Sequence, residues 1–368
     1  MFIVKIKNNM KVCIIGNGLS ALTLAKGLVN QNIHVDLLID KKNLNINQYR
    51  TIGISKSNSD YFNENIMDIE KHLWKLKKIE IYSDNLTKEK LIYFENNHDR
   101  LFSIVKNYKL YQILEKDLSQ SKYFKKKLIS NRNLFFINNY KLVINCSYTH
   151  QITKKYFNKK ILKKYNSLAY TSIIKHKKIL NDVAIQIFTK NGPLAFLPIS
   201  DYETSVVYSI QNSFNKKNYD IKDLIKSYNL KYKINKIEKI YNFELNSLSL
   251  RSYYHNNILA FGDLLHKIHP LAGQGFNMTI RDIKILISII KKKIDLGLPL
   301  DCSINEEFEN IMKHKNFIFS NGIDLIHEFF NIQRKTKSKI LNKSIQFIGK
   351  SPSINKFFTK IADKGTLF

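Results

Sequence analysis

Acidic residues are scarce in this chain: 30 Asp and Glu stand against 60 Lys and Arg, a formal net charge of +30. Such a balance directs attention to anionic partners, either a membrane surface or nucleic acid. Lysines outnumber arginines and run through every segment without forming a block. No nucleic-acid recognition motif accompanies them, so nucleic acid is not an expected partner. The same dispersal is what an AT-rich coding sequence produces by raising Lys, Asn and Ile together, and that reading stands beside attraction to an anionic bilayer. Cysteine is also rare. Cys13, Cys146 and Cys302 lie far apart, with no metal-like pair, as expected in a reducing compartment. No apolar run approaches the ~18–20 residues of a membrane span. The N-terminus lacks the apolar core of a signal peptide, because the first long apolar stretch belongs to the motif described next. The expectation is a cytoplasmic protein, soluble or peripheral to the inner face of the membrane. There is no internal repeat and no Pro/Ser-rich linker.

What is present suffices for a folded protein. Hydrophobic residues make up 44% of 368, with 23 Phe and 20 Tyr, and that length predicts two structural units. Lys11 to Ile15 reads as a short buried strand, followed by Gly16-Asn17-Gly18-Leu19-Ser20-Ala21 and an apolar helix through Leu22, Leu24, Ala25 and Leu28. A second strand, 33–39, ends in Asp40. This order is a dinucleotide fingerprint: Gly16 makes the tight turn, Gly18 lets backbone approach a pyrophosphate, and Ala21 replaces the third glycine for helix–strand packing. Asp40 is placed for a ribose hydroxyl pair. A second motif begins with the apolar run 257–261, which delivers a Gly262-Asp263 corner. Pro270, Gly273, Gln274, Gly275 and Asn277 follow, before a helix patterned over 278–291. Glycines ahead of a helix N-terminus allow close approach of N–H groups to an anionic ligand, and a carboxylate at a strand end suits a polyol.

Between the motifs, a helix carrying Trp74 is predicted after a polar segment, and 77–83 with 91–94 reads as a hairpin. Residues 101–118 are helix-like, with Leu110, Leu114 and Leu118 at i+4 spacing. Segments 133–136 and 141–146 return as strands. From 168 to 210 the pattern is β-rich: Val183, Ile185 and Ile187 alternate, as do Val206, Tyr208 and Ile210, with Gly192-Pro193 at the turn between. Another strand is predicted over 238–245. The expected organisation is a discontinuous nucleotide domain (1–75, 100–164 and 256–302), a β-sheet unit (76–99 and 165–255) and a helical region (303–368). A substrate pocket is expected between the first two.

These residues resemble the FAD-dependent aromatic hydroxylases, and among them the ubiquinone-biosynthesis hydroxylases acting on polyprenylated phenols. The resemblance runs from Lys11 to about Gly365. It rests on the N-terminal fingerprint, on Arg50-Thr51-Ile52-Gly53-Ile54-Ser55, on Gly192-Pro193-Leu194-Ala195-Phe196-Leu197-Pro198, and on 262–277 with His266 and His269. It implies an α/β fold: a Rossmann-like FAD-binding domain with an inserted, mainly β-sheet substrate domain and a C-terminal helical region. It also implies that Gly16, Gly18, Ala21 and Asp40 hold the ADP half of FAD, and that Arg50 reaches the phosphate or flavin side, unless it is simply a solvated arginine. Asp263, after Gly262, would bond the ribityl chain. Pro270, Gly273, Gln274, Gly275 and Asn277 would lie along the isoalloxazine ring, with the following helix pointing its positive end at the ring edge where reduction places negative charge. Phe196, Leu197 and Pro198 would serve the substrate.

The implied reaction is ring hydroxylation through a flavin hydroperoxide, with O2 as co-substrate and NAD(P)H as reductant. The flavin carries the chemistry, so no side-chain nucleophile is expected. His269 is a candidate for assisting phenol deprotonation, with packing as its alternative role. His266 and His269 lack a third ligand nearby, and no metal is expected. One segment departs from the family pattern. Where relatives end a strand with Ala-Asp-Gly, this chain has Cys146, Ser147 and Tyr148. That puts NAD(P)H use in question and keeps a second reading open, a flavin-binding accessory protein or a flavoprotein using another donor. Phe357, Phe358 and Ile361 among lysines suit an amphipathic helix on an anionic membrane, and suit a terminal helix packed on its own domain equally well. Other quinone-biosynthesis proteins are expected partners.

Overall fold

The computed structural model describes residues 10–40, 47–84, 90–95, 100–129, 135–211, 220–268, 274–336 and 363. The chain opens with β1 (Lys11–Ile15), α1 (Leu19–Val29), β2 (His34–Ile39), β3 (Thr51–Ser55) and α2 (Lys56–Asn65). Three short strands follow, β4 (Trp74–Leu76), β5 (Lys78–Ser83) and β6 (Lys90–Glu95). Next come β7 (Phe102–Lys106), α3 (Asn107–Ser119), β8 (Phe124–Leu128), β9 (Leu142–Asn145) and α4 (Gln151–Tyr156). The middle of the chain is β10 (Lys160–His176), β11 (Val183–Thr189), β12 (Gly192–Pro198), β13 (Glu203–Gln211), α5 (Ile221–Ser227), β14 (Ile234–Ile237) and β15 (Tyr241–Leu250). It closes with β16 (Tyr254–His255), β17 (Ile258–Ala260), β18 (His266–Lys267), α6 (Gly275–Asp295) and α7 (Cys302–Thr336).

These elements form three sheets. A six-stranded sheet runs β16-β17-β9-β1-β2-β8, parallel except for the β16–β17 pair. A nine-stranded sheet runs β18-β15-β10-β13-β12-β11-β5-β6, with β14 beside β10. A small antiparallel sheet, β3-β7-β4, belongs to neither. The parallel sheet has buried inner strands, β17, β9, β1 and β2, as their apolar sequences require, and an exposed, lysine-rich edge strand, β8. Its core continues through α1, where Leu22, Leu24 and Leu28 are buried, to Ile283, Leu286 and Ile290 of α6. The nine-stranded sheet has its own core on one face, around Leu194, Phe196, Val206 and Tyr208, partly covered by α5 through Ile225.

Three local expectations are corrected. Trp74 lies in β4, because Trp74, Lys75 and Leu76 alternate with period 2, and the indole Nε1 donates to the Asn181 carbonyl at 2.6 Å. The stretch from 102 to 106 is likewise strand β7, with Ile104 and Val105 on opposite faces, and the helix begins only at Asn107. Leu110, Leu114 and Leu118 then bury its inner face as their spacing predicts. Of the segment read as a strand over 133–136, the described part enters a 3-10 turn, Phe135–Asn139.

One buried carboxylate ties the parallel sheet together at the edge away from the strand C-termini. Asp36 Oδ2 accepts from Lys11 Nζ at 2.8 Å, Lys127 Nζ at 2.7 Å and Tyr140 Oη at 2.5 Å. Burial alone would raise its pKa, but these three donors hold the carboxyl below the usual carboxylate range. A group depressed in the folded state contributes stability above its unfolded pKa, and that contribution disappears as pH falls through the folded value. Replacing Asp36 by Ala should cost about 1–3 kcal/mol at neutral pH. The penalty should shrink in acid, as the wild type loses the same interaction. Paired denaturant titrations at neutral and acidic pH check this, and a pH-independent difference would contradict it.

Candidate cofactor and substrate site

The C-terminal ends of β1, β2, β9 and β17 meet at one edge of the parallel sheet, where doubly wound sheets bind their ligands. Backbone bonds fix the meeting: Gly16 N donates to Leu38 O and Cys146 N to Ile15 O, while Phe261 N donates to Asn145 O, all at 2.9 Å. The two glycine motifs, distant in sequence, therefore share one rim. Gly262 has φ +65°, and a Cβ there would stand 2.8 Å from Ser20 Cβ. Only glycine allows the second motif this close to the first turn of α1. Gly16, at φ +113°, similarly lies against the Cys146–Ser147 peptide, whose nearest atoms would be 3.3 Å from an added Cβ.

Two helix N-termini are left for a ligand at this rim. Helix α1 has Gly18 as its N-cap and α6 has Gln274; neither end has a side-chain cap or an acidic residue in its first turn. The first intrahelical bonds are Leu22 N to Gly18 O and Met278 N to Gln274 O, so the N–H groups of 19–21 and 275–277 lie outside the helical ladders. Among the described residues, and apart from the adjoining backbone, nothing lies within 4 Å of an added Cβ at Gly18 or at Gly275. Glycines at both ends, N–H groups outside the helical ladders and positive helix ends fit a pyrophosphate and the electron-rich edge of a flavin.

The carboxylates sit around this rim. Asp263 is exposed, and its charge adds to the effect of burial in raising the Cys146 thiol pKa. Asp40 is half-buried and close enough to act on His150, whose pKa burial lowers and Asp40 partly restores. Arg50 is exposed, and its carbonyl accepts from Asn107 N at 3.0 Å. Ala21 is fully buried in α1, as the packing role requires. Gln274 is buried at the α6 N-cap. His269, Pro270 and Gly273 lie outside the described residues, as do Phe357, Phe358 and Ile361. His266 is buried, with Nε2 at 2.5 Å from Asp282 Oδ2, and the described residues hold no group of three or more His, Cys, Asp or Glu that could take a metal.

Asn277 takes a different place from the one expected. Its side chain is fully buried: Oδ1 accepts from Ser55 N at 2.9 Å and Asn58 Nδ2 at 3.1 Å, and Nδ2 donates to Gly53 O at 3.1 Å. It is a clamp joining the start of α6 to the β3–α2 corner. Asp363 fastens the same corner from outside, its carboxylate accepting from Ser57 N at 2.8 Å and its carbonyl from Ser55 Oγ at 2.9 Å. Arg281, one turn along α6, donates to Asn277 O at 3.2 Å and lies 4.1 Å over the Phe319 ring, with its pKa pushed down by burial to about 10.

The nine-stranded sheet meets β3 and the small sheet with one face. Strand alternation divides the expected substrate trio. Phe196 and Pro198 are buried on the face away from β3, Phe196 against Tyr232. Leu197 faces the other way, toward Leu76 and Ile104 of the small sheet. Thr51 Oγ1 of β3 donates to Ser205 Oγ at 2.8 Å on that same face, because Ser205 is the register partner of Leu197. Leu197, Ala195 and their lateral neighbours thus share the face that meets β3 and the small sheet. The strand end that departs from the family pattern is held internally. Asn145 Oδ1 accepts from Ser147 N at 3.0 Å, Asn145 Nδ2 donates to Thr153 Oγ1 at 2.8 Å, and Lys160 Nζ donates to Tyr148 Oη at 3.0 Å.

Residues 208–295 match the family described as FAD binding domain. The chain is 24% identical over 230 residues to the mitochondrial ubiquinone biosynthesis monooxygenase COQ6 of Schizosaccharomyces pombe, covering 50% of this chain and 48% of that protein. It is 27% identical over 157 residues to the 3-demethoxyubiquinol 3-hydroxylase of Escherichia coli, covering 41% and 40%. The matches thus span about half or less of those relatives' lengths. A solved HpxO variant of Klebsiella pneumoniae complexed with FAD superposes with a TM-score of 0.74 at 10% identity, covering 97% of this chain and all of that one, a likeness of fold alone.

If the contact between the motifs is required, Gly262→Ala should cost about 1–3 kcal/mol from the left-handed backbone alone. Ser20→Gly in that background should recover the part due to the clash. Thermal melts of the four proteins in the cycle check it, and strictly additive effects would contradict the contact.

Proposed function

We propose that the chain is an FAD-dependent monooxygenase of the aromatic-hydroxylase kind, hydroxylating the ring of a polyprenylated phenol in ubiquinone biosynthesis. The observation that carries this reading is the rim where the two glycine motifs meet, each fronting a helix end with no acidic residue in its first turn. β3 ties that region to a largely apolar sheet face through Thr51 and Ser205. FAD, when bound, supplies electron transfer and O2 activation. The chain's own work is to hold the cofactor, orient the ring and keep water away. Gly16, Gly18 and Asp40 would hold the adenosine and pyrophosphate side. Asp263 and the N–H groups starting α6 would hold the ribityl chain and the flavin edge, and Arg50 has an exposed guanidinium for a phosphate. His269 keeps only its candidacy in phenol deprotonation.

NAD(P)H is the donor this reading expects. The closed bonding of Asn145, Ser147 and Tyr148 where relatives have Asp-Gly favours the second reading, an accessory flavoprotein or one with another donor. One experiment separates them. Protein reconstituted with FAD should oxidise NADH or NADPH faster when a 2-alkylphenol is added, and deleting the gene should accumulate a quinone precursor lacking one ring oxygen. Bound FAD that neither nicotinamide reduces would favour the second reading, and an unchanged quinone pool would argue against both.

A polyprenylated substrate resides in a bilayer, and we read the +30 charge as bringing the protein to an anionic surface. Phe317 and Leu325, 63% and 70% exposed on α7, support the same reading. No helix among the described residues is long and apolar enough to cross a membrane. Sedimentation with vesicles should show binding to anionic ones that collapses at high salt. Equal binding to neutral vesicles would remove the electrostatic account.

A further inference from the structure

Register carries the sheet face one step further than Leu197. Gln186 of β11 is the partner of Ala195, Ala195 of Val207, and Val207 of Thr171. On the other side Gln186 pairs with Ile81, and Thr171 pairs with Tyr241. Laterally paired residues point to the same side of a sheet, so this row lies on the face that meets β3 through Thr51 and Ser205. Tyr49, immediately before Arg50, stacks on Tyr241 with ring centroids 5.5 Å apart and closes one end of the row. Ile81, Gln186, Ala195 and Val207 are all half-buried. Among these four Gln186 is the lone polar side chain, and it makes no side-chain hydrogen bond among the described residues.

An amide on an apolar shelf offers two donors and an acceptor in a setting where a ligand that covers it without pairing pays a desolvation penalty. We propose that Gln186 is the specificity-determining anchor of the ring, its amide hydrogen-bonding the phenolic oxygen while Ile81, Ala195 and Val207 contact the hydrocarbon. The assignment rests on the phenol reading above and names the residue that enforces it. A site built around such a bond accepts an oxygenated ring and rejects the analogue without the oxygen, because the analogue leaves the amide buried and unpaired. The shelf on both sides of Gln186 accommodates the alkyl tail without demanding a particular length.

The test uses holoenzyme carrying FAD, with 2-hexylphenol and hexylbenzene as probes and perturbation of the bound flavin's absorbance as the readout. The wild type should bind the phenol at least about tenfold more tightly than the hydrocarbon. Gln186→Leu and Gln186→Met should each bind the phenol about five- to tenfold more weakly and the hydrocarbon no less tightly, so that discrimination collapses. FAD affinity and melting temperature should stay at wild-type values, which a merely structural role would move. Equal discrimination in wild type and both variants would overturn the anchor while leaving the phenol reading intact. Failure of the wild type to bind either probe, with FAD affinity intact, would overturn the phenol reading and the anchor together.

Discussion

A buried side-chain amide must find partners for its donors and its acceptor, and at Asn277 that requirement organises the site. The three bonds it makes to Gly53, Ser55 and Asn58 join the first turn of α6 to a corner more than 200 residues upstream. Leaving such groups unpaired costs about 1–3 kcal/mol each, so the corner and the helix start move as one piece. The consequence passes outward in both directions. Fixing α6 fixes the space in front of Gly275. Fixing β3 fixes Thr51 against Ser205, and with it the contact between this corner and the sheet. Asp363 and Arg281 bracket the same corner, one bonding the start of α2 and the other the Asn277 carbonyl.

Given that frame, the division of labour is uneven. On the proposed reading, the cofactor side is built from backbone: glycines, uncapped helix ends and strand termini, with carboxylates only at its margins. The proposed substrate side is built from side chains, mostly aliphatic, in a register that places one amide among them. Such a division suits a reaction in which the cofactor carries the chemistry and the protein supplies position and a dry surface. The strand end at 145–148 is instead closed on itself, with Asn145 bonded to Ser147 N and Thr153 Oγ1.

The glycine motifs were legible in the sequence because their requirements are local. A residue at φ +113° or +65° beside another backbone admits little but glycine, whatever the rest of the fold does. Strand alternation was legible too, and β11 to β13 lie where Val183, Ile187, Val206 and Ile210 place them. Which face of those strands looks inward was not legible, because a strand buried on one side and roofed by a cofactor domain on the other is apolar on both. Phe196 and Pro198 were therefore expected in the site and lie in the outer core, whereas Gln186, two strands of register away from Ser205, was passed over. Its polarity amid Ile185 and Ile187 was the available signal. Asn277 was read for its neighbours in sequence, and its partners are 219–224 residues away. Trp74 and the stretch from 102 to 106 were misread as helix because short strands carry too few periods to distinguish one spacing from another.

The central claim is that this chain places an oxygen atom from O2 on a phenolic ring. The measurement that addresses it most directly is mass spectrometry of the product formed by FAD-loaded protein, reductant and a 2-alkylphenol under isotopically heavy O2. The account predicts a product heavier by one labelled oxygen, with unlabelled water contributing none. Reductant consumed with all the label recovered as hydrogen peroxide, and the phenol returned unchanged, would contradict it.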